Sequence, residues 1–270
     1  MRWLSGLAAD IAEMHREQWE YRELLLQLIA RDLRVRYKQT VMGFGWAVFM
    51  PVVNTVLFSV IFTRVAAIDT GTVPYPLFAY TGLLAWNYFA TALRFATTSL
   101  SHNAVLVGKV YFPREVLPTS SVIVSAVDTM VASVVLVAML AYYGKGVGAA
   151  VLALPFVFGL QTVLTIGIGL VLAMANLYFR DVKYLFEVAI TVAMFGTAVL
   201  YPVEGIAGPM GGLLSWNPMT QIIEAYRQIL FEDRWPFSGA FAATAAGTAT
   251  FFALAWWRFH RAEFSFAERL

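Results

Sequence analysis

The stretch FRDVKY, residues 179–184, places three charged side chains, Arg180, Asp181 and Lys183, between two long apolar runs. The chain carries no charge in residues 146–179 and none in residues 188–203. A soluble amphipathic helix distributes its charges along one face with a period near 3.6 residues. Charges confined to short clusters instead predict helices that are apolar all round and are joined by charged turns.

The composition indicates that these runs lie in a lipid bilayer. The chain has 270 residues and is 60% hydrophobic and 13% charged, whereas an ordinary globular domain is about 25% charged. A spanning helix needs about 20 mostly apolar residues, because lipid offers the backbone no hydrogen-bond partners. Six spanning helices are predicted, at residues 44–63, about 76–100, about 119–143, within 146–179, about 184–201 and within 235–257.

The distribution of Lys and Arg predicts the orientation, because cytoplasmic flanks of spans carry the excess of positive charge. With the N-terminus inside, 14 of the 19 basic residues are cytoplasmic, four are external and Arg94 lies within the second span. Both termini are then cytoplasmic, and FRDVKY is a tight cytoplasmic turn. Such a turn is either a topology anchor or a contact for a soluble partner. The first 38 residues lack the apolar segment of a cleaved signal peptide.

A charged segment precedes the first span. Its polar residues recur at spacings of three or four and form one stripe of a helix, with apolar residues mostly on other faces. This pattern predicts an interfacial helix on the cytoplasmic leaflet, within a cytoplasmic segment of residues 1–38 that leads into a six-helix domain of residues 39–270. The stripe comprises Glu20, Glu23, Gln27, Arg31, Arg34 and Lys38, and the apolar residues are Leu25, Leu28, Ile29 and Leu33.

An external segment before the last span has the pattern of a short helix. In NPMTQIIEAYRQILF, residues 217–231, Asn217 is the predicted N-cap and Pro218 the first helical residue. At about 1.5 Å per residue this helix is about 21 Å long, too short for a bilayer core of about 30 Å. Together with GIAGPMGGLL, residues 205–214, it predicts a re-entrant segment. A helix lying flat on the outer surface is the alternative.

The second span carries a polar stripe, which is either a seam between helices or the lining of a pathway. It comprises Tyr80, Asn87, Thr91, Arg94, Thr98 and Ser101, at spacings of 7, 4, 3, 4 and 3. An arginine within a span costs roughly 2.5 to 3.5 kcal/mol on insertion scales. Arg94 is therefore predicted to face Asp128, the buried charge of the third span, directly or through one intermediate group.

Aromatic residues within the spans have two interpretations. Most aromatic residues in membrane proteins pack between helices or anchor at the headgroups. Flat rings could also line a pathway for sliding sugars, because they offer contact with little directional preference. The candidates are Phe58, Phe62, Trp86, Tyr88, Phe89, Phe195 and Tyr201.

Four strings carry a resemblance to a known family. They are ARDLRVRYKQTVMGFGWAVFMPVV (residues 30–53), GKVYFPREVLP (108–118), NLYFRDVKYL (176–185) and WNPMTQIIEAYRQILF (216–231). In this order, between spans of suitable length, they resemble the membrane subunit of bacterial ABC exporters for O-antigen, capsule and teichoic-acid polymers. The resemblance implies a six-helix type-2 permease that forms a homodimer and pairs with two copies of a separate ATPase.

The sequence has no G-x-x-x-x-G-K-[ST] motif, which forms the phosphate-binding loop of many ATPases. ATP and Mg are therefore expected on the partner. This chain is expected to be neither an enzyme nor a cofactor-binding protein.

The resemblance also implies roles for particular residues. The loop between spans two and three, residues 103–115, would be the coupling helix in a cleft of the ATPase, and the FRDVKY turn a smaller second contact. The expected contacts are Lys109, Val110, Tyr111, Phe112, Arg114, Glu115, Arg180, Asp181 and Lys183. The implied substrate is a polymer on undecaprenyl diphosphate, whose diphosphate would be met at the cytoplasmic entrance by Arg31, Arg34, Arg36 or Lys38.

The residues fit two other functions poorly, and a third function would share the same fold. A secondary transporter would be expected to show intramembrane carboxylates or symmetric halves, and a membrane enzyme acting on polyprenyl phosphates would need clustered acids, His or Arg. The three histidines, His15, His102 and His260, are scattered, and the chain has no cysteine, so no metal site is expected; nor is a nucleic-acid partner. An ABC exporter for a small lipid or drug would share the fold and is the main alternative.

Overall fold

The computed structural model describes residue 16 and residues 19–38, 40–43, 45–64, 70–203, 206, 208–263 and 266. These residues form helices joined by short connections and contain no strand, which confirms the predicted all-helical class. The rest of the predicted cytoplasmic N-terminal segment, together with residues 205, 207 and 267–270, lies outside the described residues. The helices are α1 (Arg22–Tyr37), α2 (Gly45–Arg64), α3 (Tyr75–His102), α4 (Ala104–Lys109), α5 (Val116–Tyr142), α6 (Leu154–Tyr178), α7 (Val182–Phe195), α8 (Pro209–Trp216), α9 (Pro218–Glu232) and α10 (Gly239–Ala262), with a 3-10 helix at Ala149–Ala153.

Four segments of the described chain are long and apolar enough to cross a membrane: Gly45–Thr63, Val116–Tyr142, Ala149–Tyr178 and Gly239–Ala262. They correspond to the first, third, fourth and sixth predicted spans. The helix α3 has 28 residues and thus sufficient length, but its polar stripe lowers its hydropathy. The helix α7 has 14 residues and is about 21 Å long. Length and composition alone therefore support four of the six predicted spans.

The helical bundle has two ends. At the first, which we call the α1 end, Leu28 of α1 belongs to the same buried apolar cluster as Leu100 of α3, Val116 of α5 and Leu177 of α6. The α6–α7 turn and the end of α10 also lie there, since the rings of Tyr178 and Phe266 are 6.4 Å apart. At the opposite end, which we call the α9 end, lie the start of α3, the 3-10 helix, α8 and α9.

The central helix is α3, which packs against α2, α5, α6, α7 and α9. Near the α9 end it approaches the segment that follows α7 very closely: a Cβ atom added at Gly82 would lie 2.3 Å from the carbonyl oxygen of Val199. Arg227 of α9 binds the same segment, donating to the carbonyl oxygens of Ala198 at 2.9 Å and Val199 at 2.7 Å. These contacts hold the far end of the short helix α7 in place.

The helix α9 has the predicted cap and buries one apolar face. The side chain of Asn217 accepts a hydrogen bond from the Met219 N–H at 2.9 Å, and Pro218 is the first helical residue. This face is buried at Met219, Ile222, Ile223, Ile229 and Leu230, and half-buried at Tyr226. The helix ends at Asp233, which has a left-handed backbone with φ of 50°. Asp233 in turn accepts the Ala150 N–H at 2.9 Å and so caps the 3-10 helix.

Candidate functional site at the α1 end

A polar cavity of about 420 Å³ lies between α1, α2, α3 and α5. Two members of the predicted polar stripe, Asn87 and Thr91, line it together with Phe95. The opposite walls supply Arg36 and Tyr37 from α1, Asn54 from α2, and Ser125, Asp128 and Thr129 from α5. Part of the stripe on α3 therefore lines an open space rather than a packed helix seam.

Asp128 joins α1 to α5 in the wall of this cavity. One of its carboxylate oxygens accepts a hydrogen bond from the Arg36 guanidinium, and the other accepts one from the Tyr37 hydroxyl. The Arg36 guanidinium also lies over the ring of Phe95, 4.1 Å from its centroid, a geometry that favours a cation–π interaction. Burial, together with the bond to the Asp128 carboxylate, raises the pKa of the Tyr37 hydroxyl. The carboxylate is largely buried, as predicted, but its partners come from α1.

The prediction that Arg94 faces Asp128, directly or through one intermediate group, is wrong, because the two residues bind different partners among the described residues. Arg94 instead makes a bidentate ion pair with Glu187 of α7, with distances of 2.6 Å from Nε to Oε1 and 2.8 Å from Nη2 to Oε2. Successive residues of an α-helix are about 100° apart around its axis, so Phe95 meets α1 while Arg94 reaches α7. The side chains of Arg94 and Glu187 are 47% and 46% exposed. Sequence analysis missed Glu187, although a carboxylate inside the predicted fifth span should have indicated a basic partner on another helix.

Four of the predicted pathway residues fill the interior of the chain. Tyr80, Trp86, Tyr88 and Phe89 are all buried. The Tyr80 hydroxyl donates to the Ala132 carbonyl oxygen at 2.8 Å, and the Tyr88 hydroxyl donates to Thr162 Oγ1 at 2.9 Å. Packing between helices therefore accounts for Tyr80, Trp86 and Phe89, whereas Tyr88 also lines the polar cavity.

The other predicted aromatic residues remain at least partly accessible. Phe58 and Phe62 are half-buried against the core, and the ring of Phe62 stacks on Tyr75 with centroids 6.0 Å apart. Phe195 is exposed and Tyr201 is half-buried, with its hydroxyl donating to the Phe195 carbonyl oxygen at 2.6 Å.

The charged stripe of α1 faces outward. Arg31, Arg34 and Lys38 are exposed and line a shallow concavity of about 760 Å³. Arg31 also contacts Asp32 and donates to the side-chain oxygen of Asn103 at 3.1 Å, which ties α1 to the end of α3. Of the four cations predicted for a substrate entrance, three therefore lie on the surface and Arg36 points into the polar cavity.

The connection between α3 and α5 presents an exposed surface and a buried one. Lys109, Val110 and Tyr111 are exposed, whereas Phe112 is 2% exposed and packs in the apolar cluster at the α1 end. Glu115 is fully buried, and its Oε1 accepts a hydrogen bond from the indole N–H of Trp256 at 3.2 Å. The expectation that Phe112 and Glu115 face a partner is therefore corrected, because both belong to the interior of this chain.

The residues of the α6–α7 turn match their prediction as a tight charged connection. Only Phe179, Arg180 and Asp181 separate the two helices. Arg180, Asp181 and Lys183 are all exposed, and the Lys183 N–H donates to the side-chain oxygen of Asn176 at 3.3 Å. The turn thus exposes three charged side chains, while a hydrogen bond to Asn176 of α6 holds its backbone in place.

Sequence analysis missed a cluster of acids where α5 begins and α10 ends. Glu263, just after α10, is 3% exposed and lies beside Glu115 and His260. Its Oε2 accepts the Arg114 N–H at 3.2 Å. Burial and the neighbouring Glu115 carboxylate raise the pKa of Glu263 to about 8. No sequence spacing links residues so far apart, so only the tertiary structure, which places the end of α10 beside the start of α5, brings them together.

The bundle, its central polar helix and the charged α1 end define the class of protein. The chain belongs to the ABC-2 type transporter family, whose profile matches residues 23–231.

Particular relatives are permeases of polysaccharide export systems. The O-antigen export system permease protein RfbA of Myxococcus xanthus is 30% identical over 233 residues, which cover 86% of this chain and 89% of the relative. The RfbA protein of Klebsiella pneumoniae is 29% identical over 208 residues, covering 77% of this chain and 80% of the relative. The polysialic acid transport protein KpsM of Escherichia coli is 22% identical over 221 residues, covering 80% and 84%.

Proposed function

We propose that this chain is the transmembrane subunit of an ATP-driven ABC exporter that moves lipid-linked polysaccharide, O-antigen or a related polymer, across the cytoplasmic membrane. The observation that carries the proposal is the similarity to an O-antigen export permease, which extends over 86% of this chain and 89% of the relative. The family profile, which matches residues 23–231, covers every proposed span except the last as well as the connection between α3 and α5. A second relative is a polysialic acid transport protein, which supports a polysaccharide as the class of substrate.

The proposed topology has six spans, formed by α2, α3, α5, α6, α7 and α10. The α1 end faces the cytoplasm with both termini, α1 lies on the inner leaflet, and α8 with α9 re-enters the membrane from outside. The length of α3 supports its assignment as a span. The non-helical segment that follows the short α7 extends its reach, and Arg227 binds the carbonyl oxygens of Ala198 and Val199 in that segment.

The proposed assembly is a homodimer that binds two copies of a separate ABC ATPase. Apolar residues exposed on α2 and α7 fit a surface that meets lipid or a second copy: Val53, Val56, Leu57 and Val60 on α2, and Leu185, Val188 and Val192 on α7. Lys109, Val110 and Tyr111 form the proposed ATPase contact, with Arg180, Asp181 and Lys183 as a smaller one. ATP and Mg would be bound by the ATPase.

The proposed substrate route begins at the exposed cations of α1. Arg31, Arg34 and Lys38 would meet the diphosphate of an undecaprenyl-diphosphate-linked glycan, since guanidinium and ammonium groups are common phosphate ligands. An exposed ion pair at membrane depth is costly in lipid, so the Arg94–Glu187 pair would face water or the second copy. Phe58, Phe62, Phe195 and Tyr201 are the aromatic residues that remain accessible to a passing polymer.

The experiment that tests this function is deletion of the gene, followed by complementation and a search for where polymer collects. We expect lipid-linked polysaccharide to accumulate in the cytoplasm and surface glycan to be lost, both being restored by the wild-type gene. Normal surface glycan with an altered small-lipid or drug profile would reject the proposal and favour an exporter of small molecules.

A further inference from the structure

Three potential metal ligands meet where α5 begins and α10 ends. Glu115, His260 and Glu263 each place a ligand atom within 4.8 Å of the others. The two glutamates are 0% and 3% exposed, and the side chain of His260 is 13% exposed. The cluster is therefore enclosed on the carboxylate side and reachable past the imidazole.

The carboxylates have more acceptor capacity than the surrounding groups satisfy. Trp256 donates to Glu115 Oε1, and the Arg114 N–H donates to Glu263 Oε2. Glu115 Oε2 is buried and has no hydrogen-bond partner among the described residues. Glu263 Oε1 lies 3.7 Å from His260 Nδ1. Glu115 Oε2 thus remains for a further group at the centre of the cluster.

Either a cation or a shared proton between these acids would relieve their mutual repulsion. Two ionised carboxylates that are buried side by side destabilise one another, and removal from water adds to the cost. The charged guanidinium of Arg114 is directed to the backbone carbonyl oxygen of Glu263, where it donates a hydrogen bond. A divalent cation would neutralise both carboxylates and use the unsatisfied oxygen of Glu115.

We propose that Glu115, His260 and Glu263 form a binding site for a divalent transition-metal cation, for which Zn²⁺ is the best match. Two carboxylate oxygens and an imidazole nitrogen are typical zinc ligands, at about 2.0 to 2.2 Å from the metal. In a tetrahedral site such ligand atoms are about 3.4 Å apart, so the 3.7 Å between His260 Nδ1 and Glu263 Oε1 is near the required separation. The Trp256 indole and the Arg114 N–H hold the carboxylates in orientation, as supporting hydrogen bonds do in metal sites.

The site would connect two distant parts of the chain. Glu115 directly precedes α5 and follows the exposed surface of Lys109, Val110 and Tyr111 by a few residues, whereas His260 and Glu263 close α10. A bound cation would fasten that surface to the last helix. The proposal rests on the geometry of the cluster and does not depend on the transported substrate.

The test is zinc binding to the purified full-length protein, prepared in detergent without a histidine tag and stripped with EDTA. We expect the wild type to bind about one Zn²⁺ per chain in titration calorimetry with ZnCl₂ and to retain it in elemental analysis after dialysis. His260→Gln should weaken binding at least tenfold, in line with the loss of one ligand. MnCl₂ should bind more weakly than ZnCl₂.

The matched control is His102→Gln, which removes an exposed histidine at the end of α3 and should bind zinc as the wild type does. Glu115→Gln should abolish zinc binding, but it alters a buried group whose loss could impair folding. The deciding variant is therefore His260→Gln, because His260 is partly exposed. Binding by His260→Gln equal to that of the wild type, or no binding by the wild type beyond background, would overturn the site. A proton shared between the two carboxyls would then be the explanation of the cluster.

Discussion

Two arginines near the α1 end are each neutralised by a carboxylate from another helix. Arg36 of α1 binds Asp128 of α5, and Arg94 of α3 binds Glu187 of α7. An uncompensated charge at membrane depth is costly, so each pair favours one position of its two helices. The first pair fixes α1 over the polar cavity, and the second fixes α7 against the central helix.

A double-mutant cycle can measure the Arg94–Glu187 interaction. We expect Arg94→Ala and Glu187→Ala each to destabilise the protein, and the double variant to be less destabilised than the sum by about 1 kcal/mol, the upper range for a partly exposed pair. The measurement is unfolding in detergent micelles. A parallel cycle of Arg94→Ala with Asp128→Ala should be additive, because these residues bind different partners. Additivity in the first cycle would mean that the ion pair contributes nothing.

The spacing of residues predicted which side of a helix is polar but not which neighbour it meets. On α3, the exposed or half-buried positions Asn87, Thr91 and Arg94 follow the predicted stripe. Their partners depend on how the other helices are arranged around α3, which the local sequence does not contain. Glu115 is a second case in which the local sequence does not reveal the partner. It lies in a charged loop of the sequence, but its side chain accepts a hydrogen bond from Trp256, 141 positions later.

Hydrophobic runs located the helices well, and tertiary contacts decided where α7 ends. The predicted fifth span continued to residue 201, whereas α7 ends at Phe195. Beyond it, Asn217 donates to the Gly196 carbonyl oxygen at 3.0 Å and Arg227 to those of Ala198 and Val199. Because side chains of α9 supply the hydrogen bonds, the backbone can leave the helix while still buried.

The close approach of α3 to this segment predicts the effect of Gly82→Ala. The added Cβ would lie 2.3 Å from a backbone oxygen and 2.9 Å from the Arg227 guanidinium, so the two elements must separate. We expect a loss of roughly 2 kcal/mol in the free energy of unfolding, as for overpacked cores. The control is Gly159→Ala on α6, where a Cβ would meet no atom within 4 Å. Equal stability of the two variants would show that the segment yields at little cost.

The exposed surface between α3 and α5 predicts a variant defective in ATPase binding. Tyr111 is 66% exposed, and aromatic residues at interface centres often contribute about 2 kcal/mol or more. Tyr111→Ala should therefore weaken co-purification with the ATPase about tenfold or more and reduce export, while the permease remains folded. Tyr142→Ala changes another exposed tyrosine, at the α9 end, and should have no effect. Normal ATPase binding by Tyr111→Ala would reject the contact.

The two ends of the whole molecule can be assigned to membrane faces by cysteine labelling, because the natural chain has no cysteine. Leu213 and Trp235 are exposed at the α9 end, and Phe179 is exposed at the α1 end. Cysteines at 213 and 235 should react with an impermeant reagent added outside, whereas a cysteine at 179 should react only after the membrane is permeabilised. Labelling of 213 or 235 from the cytoplasm alone would contradict the proposed topology.

The short turn between α6 and α7 has a bearing on how the protein is made. The helix α6 is 25 residues long and free of charge, while α7 has only 14 residues and carries Lys183 and Glu187. On insertion scales a short segment with two charges enters the bilayer poorly by itself. With only three residues between them, we expect the ribosome-bound chain to deliver both helices to the translocon as one hairpin, so that α7 reaches the bilayer because α6 does.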